Sequence, residues 1–249
     1  MKKTLYEIVD DILNDLDADK VNSIDDTMES EQVAQIVKTC YYEMLSNRNW
    51  PHTRKLVQLD SLGDVTKPNY LKVPENIKEM EFFRYDVRKF GVTTPQFEEV
   101  KFKHPDEFLN MIARRTGANV QSVNDISGST LLIFNDRAPQ YWTSFDDVHI
   151  VTDSYDSEVN ITLQKSKTQC LAYVYPLWSP EDDFVPDLPA EAFSALIEEA
   201  KSTAFVTLKQ VANQKAEQKS QRQQRWLARK AWTVEGAIRY QDYGRKARR

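Results

Sequence analysis

The stretch AEAFSALIEEAKSTAFVTLKQVA, residues 190–212, decides how this chain is put together. Phe193, Leu196, Ile197, Ala200, Ala204, Leu208, Val211 and Ala212 recur at helical spacing, so the segment reads as an amphipathic helix. Segments of the same kind lie at the other end of the chain. Leu5, Ile8, Val9, Ile12, Leu13 and Leu16 form one stripe, behind a Thr4 and Glu7 spaced as a capping box. Val33, Ile36, Val37, Cys40, Tyr41, Met44 and Leu45 form another after a polar connector over residues 17–27. Two helices joined by about ten residues are expected to pair antiparallel. The third stripe is then expected to return and complete a bundle.

Between these helices the period changes. Residues 55–59, 80–85, 97–102, 131–134, 148–152, 159–163 and 170–175 are short runs rich in aromatic and β-branched side chains. Val100 and Phe102 alternate with Glu99, Lys101 and Lys103, as in a half-buried strand. A short helix is expected over residues 105–114, with Phe108, Met111 and Ile112 inward. The fold class expected is therefore α+β, a three-helix bundle with an inserted antiparallel β domain and an extended C-terminal tail. The boundaries read as 1–54 for the helical hairpin, 55–177 for the β insertion, 178–215 for an acidic connector and returning helix, and 216–249 for a basic extended tail. No Pro or Gly falls between Ala190 and Val234. One continuous helix over residues 190–230 would span roughly 60 Å, so its polar second half is expected to project or lie on a neighbour.

Charge separates the tail from the rest. Residues 209–249 hold 12 Lys or Arg against 3 Asp or Glu, while the remaining residues hold 21 basic and 35 acidic groups, a net charge of −14. An acidic body with a basic, Trp-bearing end suits partner binding. Arg222, Arg225, Arg229 and Lys230 gather on adjoining parts of one helical surface around Trp226, and Trp232, Tyr240 and Tyr243 follow. Such a surface fits an acidic protein groove, where arginines pair with carboxylates and Trp anchors the contact. It also fits nucleic acid, where phosphates attract the cations and rings stack on bases. Trp50, beside Pro51 at the end of the second helix, reads as a structural anchor packed at that helix end.

Catalytic motifs are sparse. His52, His104 and His149 are isolated, and Cys40 and Cys170 lack metal-ligand spacing, so no metal and no cofactor are expected. No phosphate-cradling glycine loop or nucleophile elbow occurs. Asp86, Glu99 and Lys101 could form a divalent-metal nuclease constellation, two acids holding the cation and a lysine stabilising charge on the phosphate. The polar face of a strand gives the same Glu-x-Lys pattern. Glu181, Asp182 and Asp183, and Asp146 with Asp147, lack the ligand ladder of a calcium loop. The start, MKKTLYEIVDDILND, has no apolar run before Asp10 and Asp11, and a soluble cytoplasmic product with no membrane span is expected. The charge pattern is an assembly signal, and no enzyme is expected.

In order of elements the chain resembles the head-to-tail adaptor of short-tailed bacteriophages, the tail tubular protein A family. The resemblance rests on the capped first helix, the connector with Asp25 and Asp26, and the corner Arg48-Asn49-Trp50 closing the second helix. Tyr70-Leu71-Lys72-Val73-Pro74, then Leu131-Leu132-Ile133-Phe134-Asn135 with Arg137, and finally the helix over residues 189–210 continue it. It spans most of residues 4–215; the longer β region and basic C terminus depart from the family. What it implies is a virion structural protein. About twelve copies would form a ring between the portal protein and the tail nozzle or tail tube, in the virion neck, after synthesis in the host cytoplasm. Genomic DNA would pass through the channel without sequence-specific binding. The basic and aromatic residues Arg222, Arg225, Trp226, Arg229, Lys230, Trp232, Tyr240 and Tyr243 would then dock on the portal or a neighbouring subunit. A nucleic-acid-binding protein with a basic arm is the alternative, with a metal nuclease behind it.

Overall fold

The computed structural model describes residues 2–231, with side chains up to Leu227. Within them lie five α-helices: α1 (Leu5–Asp15), α2 (Met28–Ser46), α3 (Pro105–Ile112), α4 (Phe193–Lys209) and α5 (Gln214–Ala231). The chain divides into two compact units, a helical one built from residues 1–54 with 175–249 and a β unit over Lys55–Val174.

In the helical unit, α1 and α2 begin by the same device. Thr4 Oγ1 accepts from the Glu7 N–H while Glu7 Oε2 accepts from the Thr4 N–H, and Thr27 and Ser30 repeat the exchange for α2. Each exchange satisfies donors that a helix start leaves orphaned. The stripes then bury Leu5, Ile8, Val9, Ile12 and Leu13 from α1, and Val33, Val37, Cys40, Tyr41, Met44 and Leu45 from α2. Phe193, Leu196 and the alanines 195, 200 and 204 of α4 close this core.

The acidic stretch before α4 is a strap across the same unit. Phe184 O accepts from the Leu5 N–H at 2.7 Å, Asp182 O from the Tyr6 N–H at 3.2 Å, and Asp182 Oδ1 from the Ile24 N–H at 2.9 Å. Trp178 packs against Tyr41 in a tilted contact and against Phe184 edge to face, at centroid distances of 5.5 and 4.9 Å.

The expected three-helix bundle is overturned here. The described residues hold five helices, not three, and the continuous helix expected over residues 190–230 is broken. Gln210 caps α4 in the left-handed conformation, φ 55°, and the chain restarts at Asn213, whose Oδ1 accepts from the Ala216 N–H. That side-chain bond supplies an N-terminal cap that glycine and proline punctuation does not reveal. Thus α5 does not continue α4 but packs against it, burying Ala216, Ser220 and Leu227.

The β unit holds eleven short strands and α3. They are β1 (Arg54–Val57), β2 (Asp60–Ser61), β3 (Tyr70–Lys72), β4 (Ile77–Asp86), β5 (Phe97–Glu99), β6 (Lys101–Phe102), β7 (Val120–Asn124), β8 (Thr130–Phe134), β9 (Tyr141–Thr143), β10 (His149–Thr152) and β11 (Thr168–Val174). They form three open sheets, in orders β1-β11-β4-β5, β2-β3-β10-β9-β6 and β7-β8. The inserted β unit is thus made of three sheets, antiparallel as expected except for the β6–β9 pair, which is parallel. The cause is a change of sheet within one extended segment. The Val100 N–H bonds Phe83 O beside the first sheet, and the next N–H, of Lys101, bonds Gln140 O beside the second. Residues 159–163, expected as a strand, are irregular: Asp156 O accepts from the N–H groups of Val159 and Asn160 and turns the chain.

A buried ion pair ties this unit together. Arg115 donates to Asp153 Oδ2 at 2.8 Å and to Asp153 O at 2.5 Å, while Asp153 Oδ1 accepts from the N–H groups of Gln140 and Tyr141. The Phe134 ring lies between the guanidinium groups of Arg115 and Arg137, at 4.2 and 4.1 Å. Both carboxylate oxygens of Asp153 are met by donors, which is why the charge can be buried.

Candidate docking surface

Of the residues singled out in the basic tail, Arg222, Arg225 and Trp226 are exposed on α5. With Gln218 and Gln221 they line a shallow depression of about 440 Å³. Spacings of three and four residues place them together on the helix. Trp226 is 47% exposed, whereas Leu227 beside it points into the core. Arg229 and Lys230 lie within α5, but their side chains fall outside the described set, and Trp232, Tyr240 and Tyr243 lie outside the described residues.

Polar contacts hold the other face of α5 in place. Glu199 of α4 accepts from Ser220 and, at 3.3 Å, from Gln224 Nε2, and Lys219 pairs with Glu198. Arg48 Nη2 reaches Gln224 O at 3.4 Å, with its guanidinium 5.1 Å from the Trp50 ring centre. Trp50 itself is 4% exposed and donates to Met44 O at 2.9 Å. The corner Arg48-Asn49-Trp50 therefore joins the end of α2 to α5. Sequence reading identified the basic residues but missed Glu198 and Glu199, the acids that decide how they are presented. Their position two and three residues before Lys201 on an apolar-striped helix gives no sign of a second helix packing there.

The candidate nuclease residues have other roles. Asp86 Oδ1 accepts from the N–H groups of Arg88 and Gln96, and its Oδ2 pairs with Arg88 Nε at 2.9 Å, closing the β4–β5 hairpin. Glu99 lies on β5, opposite Arg84, while Lys101 belongs to the other sheet. Among the described residues no group of three or more His, Cys, Asp or Glu side chains is placed to hold a metal ion. Both cysteines are free and buried; burial pushes the Cys40 thiol up to about 11 and the Cys170 thiol up to about 12. Such thiols stay protonated near neutral pH and are poor nucleophiles. No described helix is long and apolar enough to cross a membrane.

What the geometry offers is a basic, aromatic surface on a helix fastened to its neighbour by charged contacts. No protein-family model matches the chain, and no curated protein matches it.

Proposed function

We propose that this chain is a virion structural protein, a head-to-tail adaptor whose copies form a ring between a portal protein and a tail nozzle or tail tube. The observation that carries the reading is the outward face of α5, where Arg222, Arg225 and Trp226 stand together on a protein whose remaining charge is acidic. An exposed Trp flanked by arginines is the composition of an interface anchor. The resemblance of the Arg48-Asn49-Trp50 corner to the adaptor family supports the same reading, and this corner bonds to α5. In the ring, the face of α5 docks on the portal or on a neighbouring subunit. The acidic groups of the body leave DNA free to slide, because like charge repels phosphate.

Electron microscopy of the full chain mixed with a purified portal assembly tests the proposal. A ring of about twelve copies seated on the portal is the expected result. The double substitution Arg225→Ala, Trp226→Ala is expected to weaken that docking at least tenfold while leaving thermal unfolding nearly unchanged. A monomer that ignores the portal and binds DNA with a steep salt dependence would instead support the second reading, which the same cationic face favours: a nucleic-acid-binding protein with a basic arm.

A further inference from the structure

The β unit contains a second feature with the character of a receptor. A cavity of about 400 Å³ opens between the β7–β8 turn, α3 and the loop before β10. Its mouth is apolar: Leu109, Ile126 and Phe145 are 42%, 54% and 39% exposed there. Two carboxylates share this mouth. Asp125 accepts from Tyr70 Oη at 2.5 Å and from the Ser127 N–H and hydroxyl at 3.0 and 2.8 Å. Asp146 accepts from the N–H groups of Val148 and His149 and bonds His149 Nδ1 at 2.6 Å. Burial pushes the Asp125 carboxyl up, but its hydrogen bonds from Tyr70, Ser127 and Ile126 outweigh that and hold it at about 2. Both acids are thus positioned as fixed negative charges beside an apolar recess.

The chemistry that fits is a ring joined to a cation. The recess takes the ring, and the carboxylates take a guanidinium or ammonium at its edge. A volume of this size suits one aromatic side chain and its flanks. This chain carries such a segment. Residues 232–249 hold five Lys or Arg against two Asp or Glu, and they include Tyr243-Gly244-Arg245-Lys246, an aromatic and two cations separated by a glycine.

We infer that the cavity lined by Leu109, Ile126 and Phe145 receives residues 232–249 of a second copy of this chain, with Tyr243 in the apolar recess and Arg245 against Asp125 and Asp146. The inference rests on the homo-oligomeric part of the proposed function and gives it a mechanism. Each copy offers one acidic receptor and one basic plug. Plug and receptor are different segments of the sequence, so each copy can be joined to two others. Contacts of this head-to-tail kind close into a ring when the rotation between copies permits.

Photocrosslinking of the full chain tests this. Chain with benzoylphenylalanine in place of Tyr243 is mixed with isotopically heavy chain, irradiated and mapped by mass spectrometry. The expected result is cross-links between light and heavy copies at Leu109, Ile126 or Phe145. These should fall at least tenfold with Asp146→Asn in the receiving copy. They should fall likewise with Arg245→Ala in the tail, or when excess synthetic peptide of residues 232–249 is added. The tail substitution and the peptide leave the receptor untouched, so a folding defect cannot imitate their effect. Cross-links confined to one copy overturn the inference, as do light–heavy cross-links mapped elsewhere. Sedimentation separates the two levels of argument. Oligomers with cross-links elsewhere remove the plug and leave the adaptor reading standing, whereas a chain monomeric at every concentration, alone and with portal, removes both.

Discussion

Helices α4 and α5 are neighbours in sequence and in space, yet they are held by different physics. Through Phe193, Leu196 and three alanines, α4 is part of the core shared with α1 and α2. In contrast, the described side chains of α5 bury Ala216, Ser220 and Leu227 and add polar contacts to Glu198, Glu199 and Arg48. Apolar burial is not screened by salt, whereas partly exposed ion pairs are. The comparison teaches that a basic docking helix can be presented in order while remaining detachable.

The largest effect is expected from α4. Phe193→Ala should cost about 3–5 kcal/mol in denaturant unfolding of the helical unit, because it empties a site enclosed on all sides. Leu227→Ala should cost about 2 kcal/mol, at the low end for a buried leucine, since α5 can shift toward the gap. Hydrogen exchange is the decisive readout: amides of α5 should accelerate while those of α4 keep their protection. Equal acceleration in both helices would merge them into one cooperative element and end the comparison.

Glu199→Gln should come next, with a loss of about 1–2 kcal/mol, again concentrated in α5 exchange, because Ser220 and Gln224 would lose a charged acceptor. Raising salt to 1 M should have the smallest effect. Screening of the Lys219–Glu198 pair is expected to weaken α5 by about 0.2–1 kcal/mol and leave the α4 amides unmoved. A rise in α5 protection with salt would mean that repulsion among its own cations, not attraction to α4, dominates the helix.

Local devices were the legible part of this fold. Thr4 with Glu7, the stripes of α1 and α2, and the apolar run of α4 each combine a signal with a period that the backbone obeys. The break after α4 was not legible, because Gln210 occupies a left-handed position more often given to glycine or asparagine. The clue was Asn213, a capping residue within a polar run, where its signal competes with many similar side chains. In the β unit, strands such as β3 and β9 are three residues long and exist through their pairing with β10. A strand so short has little periodicity of its own. The sheet change at Val100 is invisible for the same reason: alternation continues smoothly across it while the partners change. At the candidate docking surface, composition indicated charge and rings, but only the packing of α5 on α4 decides that Trp226 faces out and Leu227 in.

The strap formed by the acidic stretch has a consequence for how the protein is made. The carboxylate that accepts the Ile24 N–H belongs to Asp182, 158 residues later in the chain. At about 5–20 residues per second, synthesis reaches it on the order of ten to thirty seconds after Ile24 has been added. Throughout that interval α1 and α2 lack both the strap and α4, and an apolar face stays uncovered on the nascent chain. The β unit, contiguous over Lys55–Val174, has no such wait and can close first. The helical unit is therefore completed last, by the arrival of its own C-terminal part, and the surface carried by α5 exists only after every other described element has been made.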